Sequence, residues 1–311
     1  MIGAHDPTRG FWVGVPFALI AWVATFFLPD AGTPTRQPLA IRPMLCCSLG
    51  LIGFVTALSM GPDWGWLDMR TLSAGLLGLA LLALWARLDS ASDKQFINLR
   101  LLSVPRIRTI SLATFLFGFA SISYFGTNGI FLHSDPSSAG YGFNLSPLAI
   151  AVVLALGSVL SLASSLLTSR ALSVLGERTT LLLAGLILAG AFAVMAVGHR
   201  SFFWYCTGFA LFNVGLGIYQ AATRALSVEG VALAETSTAA GLNELALSIG
   251  IAVGAAVVKL LSSTFADGRH ISLAGLIAIW AALALAAVAA GAVSRRYVRV
   301  LSTESIQETH G

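Results

Sequence analysis

The chain has 311 residues; 57% are hydrophobic, 10% are charged and the formal net charge is +4. Soluble domains carry about a quarter charged residues, so this composition, with a mean hydropathy of +0.85, excludes a separate soluble domain and predicts a protein whose solvent is the bilayer. The small positive charge sits largely on loop arginines and needs no nucleic acid to explain it.

A membrane-spanning helix needs roughly 20 mostly apolar residues. Such stretches fall near residues 11–29, 44–61, 71–88, 109–131, 147–168, 179–198, 202–221, 237–262 and 271–293, which predicts an all-α integral membrane protein of nine spans. Helices satisfy their own backbone in lipid, and the period-two alternation of a membrane β-barrel is absent. The first span is too long, and too weakly preceded by basic residues, for a cleaved signal peptide. Cys46 and Cys47 adjoin in the second span and Cys206 lies in the seventh; none has a loop partner for a disulfide, and all three are expected in the membrane core.

The longest connection, Arg87 to Arg108, mixes five basic residues with apolar Phe96, Ile97, Leu99, Leu101 and Leu102. It is expected to lie along the membrane surface, and it separates three spans from six. Further on, "HSDPSSAGYGFNLSP" has no basic residue and the Ser, Gly and Pro content of an exposed turn. Asn144-Leu145-Ser146 within it fits a glycosylation sequon, a pattern common by chance. Trp12, Trp22, Trp64, Trp66, Trp85 and Trp204 mostly fall near span ends, where an aromatic belt explains them.

Orientation follows from the basic residues, because cytoplasmic loops carry the Lys/Arg excess. With the carboxyl terminus inside, the inner segments hold Arg42, Arg87, Arg106, Arg108, Arg170, Arg178, Arg224, Arg295 and Arg296 among others, against only Arg9, Arg70, Arg200 and Arg269 outside. Lys259, near the outer end of its span, is expected to snorkel to the interface. Nine spans then put Met1 outside. A chain that starts outside and runs directly into a helix is expected to be truncated at its amino terminus.

The eighth span holds one acid, Glu244, eight residues after Thr236, hence about 12 Å along the helix and inside a hydrocarbon core about 30 Å thick. An ionised, unpaired carboxylate is expensive there, so a partner, a cavity or a proton is expected to neutralise it. Lys259 cannot do so, being about 22 Å further along the same helix. Ser237, Gly241, Glu244, Ser248, Ala252 and Ala255 recur at three or four residues and form one small or polar stripe, which is expected to face the bundle interior. Leu242, Leu245, Ile249, Val253 and Leu260 form an apolar stripe suited to lipid. Gly250 and Gly254 make a G-x-x-x-G pair that lets a neighbouring helix approach closely. Two readings of Glu244 stand: a lining of a translocation path, or a structural acid satisfied by a neighbouring helix. Asn243, Ser248, Asn213, Asn128 and Gln220 are the other in-span polar groups that could meet a substrate or join helices.

Several stretches resemble one family. "RGFWVGVPFALIAWVATFFLPD" resembles the sixth helix of the fourteen-helix drug/proton antiporter branch of the major facilitator superfamily, the multidrug exporters of the quaternary-ammonium-resistance type. "GPDWGWLD" resembles the turn joining that branch's two extra central helices. "SRALSVLGERTTLLLAG" is similar to the carboxyl-half copy of its basic inner-loop motif, and "GLNELALSIGIAVGAAV" to its glycine-rich thirteenth helix. The resemblance covers helices six to fourteen. It implies residues 1–30 as the last helix of an amino-terminal bundle, 31–108 as two central helices and a surface loop, 109–298 as a carboxyl-terminal six-helix bundle and 299–311 as a cytoplasmic tail.

The departures concern function. Helices one to five are missing, with the amino-half copy of the basic motif and the glycine-proline motif of helix five; the family places its principal proton carboxylates in that half. Arg170, Gly176 and Arg178 stand at the expected motif positions, but Ser173 replaces the family's Asp, so Arg170 and Arg178 are expected to mark topology. The resemblance implies proton-coupled efflux of amphipathic small molecules across a bacterial inner membrane, with protons, substrate, lipid and a missing amino-terminal half as partners and no cofactor. The other reading is a non-transporting remnant or membrane interaction subunit. No catalytic motif of the H-E-x-x-H, P-loop or G-x-S-x-G kind is present, and the five His residues have no metal-ligand spacing, so no enzyme and no metal are expected.

Overall fold

The computed structural model describes residues 14–27, 41–90, 99–232, 235–267 and 270–297. It divides into two units, residues 1–39 and 40–311. Among the described residues the first holds one helix, α1 (Gly14–Thr25), whose Trp22 meets Phe26 just beyond it edge to face at 5.2 Å. Its 12 residues reach about 18 Å; residues 11–13 and 28–29 of the expected first span lie outside the described residues.

The second unit is helical almost throughout, with eight stretches long and apolar enough to cross a membrane among the described residues. They are α2 (Ile41–Trp64), α3 (Met69–Ser90), α4 (Pro105–Phe125) continued by α5 (Thr127–His133), α7 (Pro147–Leu166), α9 (Glu177–Gly198), α10 (Phe202–Val228), α11 (Thr236–Thr264) and α12 (Leu273–Ser294). Short elements fill the connections: a 3₁₀ turn (Leu99–Ser103), α6 (Pro136–Ala139), α8 (Thr168–Leu175) and an antiparallel pair, β1 (Ala266–Asp267) with β2 (His270–Ile271). The chain is therefore an all-α multi-pass membrane protein.

Sequence sets the helix ends. Pro105, Pro136 and Pro147 start helices at positions where the missing N–H costs nothing. Ser146 and Ser272 accept hydrogen bonds from the N–H groups of Ala149 and Gly275 at the starts of α7 and α12. Between α2 and α3 the chain turns at Gly65, whose φ of +96° suits a residue without Cβ, and the Trp66 ring lies where a Cβ on Gly61 would be.

Small residues join the helices, as expected where lipid removes any hydrophobic drive for helix association. A Cβ on Gly250 would collide with the Phe115 carbonyl oxygen, and one on Gly254 would stand 2.7 Å from that of Phe119, so α11 lies backbone to backbone against α4. The G-x-x-x-G expectation holds. Gly78 does the same for α2 against α3, Gly217 for α10 against α7, and Gly185 for α9 against α12. The α2–α3 hairpin is carried by α11, with a Lys259–Asp63 ion pair at one end of the contact; Lys259 has a partner besides the interface.

One end of the second unit is arginine-rich. There Arg178 of α9 donates from Nε to the Tyr297 carbonyl just past α12 (2.6 Å), and the Tyr297 hydroxyl donates to the Glu229 carboxylate after α10 (2.5 Å). Burial, the bond to Glu229 and that carboxylate's charge push the Tyr297 hydroxyl above the usual phenol range, while Arg106 pulls it down. At the opposite end an aromatic cluster closes the bundle. Phe131 of α5 stacks on Tyr205 at 4.5 Å and on Tyr141 at 5.6 Å, and meets Trp280 of α12 at 5.4 Å.

Several expectations need correction. The stretch read as an exposed turn is exposed at His133, Pro136 to Ser138, Gly140, Asn144 and Ser146, but its middle folds inward: Tyr141 is 4% exposed, Leu145 N–H bonds the Leu132 carbonyl, and a Cβ on Gly142 would strike the Ser134 carbonyl. Tyr141 and Phe143 supply two of the aromatic contacts, which offset the entropy of fixing the loop. Leu101 does not lie along a surface; it packs with Ile107, Ala239 and Leu242, so Leu242 is a core residue and not lipid-facing. Phe96 and Ile97 lie outside the described residues. Trp85 is buried and belongs to no belt, and Trp12 lies outside the described residues.

Candidate functional site

Four helices, α4, α7, α10 and α11, enclose a cleft of about 250 Å³. Ser121, Ser158, Ser161 and Gln220 supply its polar lining. Phe117, Leu216, Leu247 and Ile251 supply the apolar one. Ser158 and Leu247 each stand 11 residues into their helices and Gln220 eight from the end of α10, so the cleft lies about 12–16 Å from the helix ends. That is mid-depth in a hydrocarbon core about 30 Å thick. The Ser121 hydroxyl donates to the Gly118 carbonyl (2.9 Å) and that of Ser158 to the Leu154 carbonyl (3.0 Å). These bonds to the preceding turn satisfy the donors and aim oxygen at the cleft. Phe117 stacks on Tyr219 at 4.7 Å and is almost wholly covered.

Of the in-span polar residues singled out in the sequence, only Gln220 lines this cleft. Glu244 lies in a separate groove of about 470 Å³ between α2 and α11, walled also by Cys47, Ser48, Ser237, Thr238 and Ser248. It is half-exposed and paired with Arg224 of α10: Nε donates to Oε1 at 2.7 Å and Nη2 to Oε2 at 3.4 Å. The expected stripe is thus split. Ser237, Gly241, Glu244 and Ser248 are exposed while Ala252 is buried; α4 packs on the opposite side of α11, at Asn243, Gly250 and Gly254. Glu244 does not face the bundle interior; its predicted need for a partner is met by Arg224. The Ser248 hydroxyl bonds the Glu244 carbonyl at 2.8 Å.

Two of the three asparagines bond across helices, and the third packs between them. Asn243 is 2% exposed and accepts a 2.7 Å bond from Thr114 of α4. Asn128 accepts a 2.9 Å bond from the Tyr205 hydroxyl within the aromatic end. Asn213 donates to the Phe209 carbonyl (2.8 Å) and packs where a Cβ on Gly157 would sit. In the stretch read as an inner-loop motif, Gly176 has φ +77° and opens α9. Arg170 is exposed on α8, its carbonyl accepting from Ser173 at 2.9 Å. Arg178, expected to mark topology, holds the end of α12 through Tyr297.

Ser121, Ser158 and Ser161 were not singled out in the sequence. Serine is common in these spans, and only the packing of four helices distinguishes the three that share a cleft. Their signal is the placement of Ser158 and Ser161 one turn apart on the same face of one helix. No family model matches the chain, and no curated protein matches it.

Proposed function

We propose that the chain is the carboxyl-terminal part of a secondary transporter of the major facilitator superfamily, in the fourteen-helix drug/proton antiporter branch, exporting amphipathic small molecules in exchange for protons. The observation that carries this reading is the polar cleft at mid-depth, where four helices bring serine hydroxyls and an amide to a place hydrocarbon would otherwise fill. Polar groups inside a membrane are costly unless they are used, and solute sites in repeat-built transporters lie near the midplane. The motif order described above adds the family. A volume of about 250 Å³ falls short of the roughly 300–1,000 Å³ of a drug-sized pocket, which fits a site that a second helical body completes.

In this reading the arginine-rich end faces the cytoplasm of a bacterial inner membrane, following the excess of basic residues there. The test is drug tolerance of cells expressing the chain joined to an amino-terminal half. Gln220→Leu and Ser121→Ala are expected to lower tolerance at least tenfold at equal expression. Unchanged tolerance would withdraw the cleft from the transport path. Equal tolerance with Glu244→Gln would separately remove the Arg224–Glu244 pair from the mechanism.

A further inference from the structure

We infer that the cleft takes an uncharged, hydrogen-bonding amphiphile, and that this part of the protein supplies no counter-charge for a cation. The inference rests on the transport reading above and narrows its substrate class.

None of the cleft's side chains ionises: its polar groups are hydroxyls and one carboxamide. The Ser121 proton is engaged by the Gly118 carbonyl, so its oxygen serves as an acceptor for a ligand N–H or O–H, and Gln220 offers both donors and an acceptor. Two charges lie one helical turn toward the arginine-rich end, since Arg224 follows Gln220 by four residues and Glu244 precedes Leu247 by three. They are bonded to each other. A cation in the cleft would therefore feel the carboxylate's attraction largely cancelled by the guanidinium, while losing its hydration. Cation–π attraction does not replace it, because that needs an open ring face. Phe117 is stacked on Tyr219 and covered. A neutral ligand escapes the desolvation cost and keeps the hydrogen bonds.

The test is equilibrium binding, in phosphatidylcholine nanodiscs, to the full chain joined to the amino-terminal half that completes its cleft. The probes are a matched pair of hydroxylated arylalkyl compounds ending in a tert-butyl or a trimethylammonium group, with empty discs as background. The neutral member is expected to bind at least about tenfold tighter, equivalent to about 1.4 kcal/mol, and Gln220→Leu to weaken it several-fold. Arg224→Gln, which strips Glu244 of its counter-charge, is expected to raise affinity for the cation, and R224Q/E244Q to return it to the wild-type value. Should R224Q fail a thermal-unfolding check, Ser121→Asp serves instead by placing a carboxylate in the cleft, with the same expected gain. Wild-type protein binding the cation as tightly as the neutral probe would overturn the inference while leaving the transport reading intact. Binding of neither probe, or binding insensitive to Gln220→Leu, would overturn both.

Discussion

The two ends of the second unit are closed by different physics. At the arginine-rich end, Arg178, Tyr297 and Glu229 join α9, α12 and α10 through two short charge-assisted hydrogen bonds, which are directional and depend on protonation. At the opposite end Phe131 is surrounded by Tyr205, Tyr141 and Trp280, a contact that depends on buried area and ring geometry and is indifferent to protonation over the ordinary pH range. An end held by few strong bonds loses them singly; an end held by packing is lost in proportion to the volume removed.

The largest expected effect tests the aromatic end. Trp280→Ala should cost about 3–5 kcal/mol in equilibrium unfolding from mixed micelles, and a loss below about 1 kcal/mol would mean that the cluster does not hold that end. Tyr297→Phe removes a hydrogen bond to a carboxylate and should cost about 1.5–3 kcal/mol. It should also change the pH profile. The folded Tyr297 keeps its proton above the pH of about 10 at which an unfolded phenol releases it. Wild-type stability is therefore fully present below that pH and falls as pH rises beyond it, whereas Tyr297→Phe should flatten the fall; equal slopes would refute the role of this hydroxyl. Between the ends, Thr114→Val removes one interhelical bond and should cost about 0.6 kcal/mol, at most about 1.7, by the same unfolding measurement. Arg170→Gln, exposed on α8, should stay within about 0.5 kcal/mol; a larger loss would assign it a contact beyond marking topology.

The sequence pattern carried the helices, the Trp64-Gly65-Trp66 turn and the glycine seam of α11, because each depends on residues near one another in the chain. Partners across helices were less legible. Glu244 needs a counter-charge by any physical argument, but that Arg224 provides it depends on which helix packs beside α11, and a one-dimensional period does not contain that. The inward turn of Tyr141 within an otherwise exposed loop was not legible for a related reason: the loop's Ser, Gly and Pro content describes backbone conformation, while the burial of Tyr141 is decided by Phe131, which lies on a different element. The cleft needed four helices at once, so among its polar groups only the amide of Gln220 stood out beforehand.

The seam between α4 and α11 has a mechanical consequence. Gly250 rests on the Phe115 carbonyl and Gly118 on that of Leu247, so a slide of about one turn, 5.4 Å, would bring the Leu247 side chain to where only a hydrogen fits. The two helices are keyed along their axes, so a movement of one that carried it lengthwise would carry the other with it.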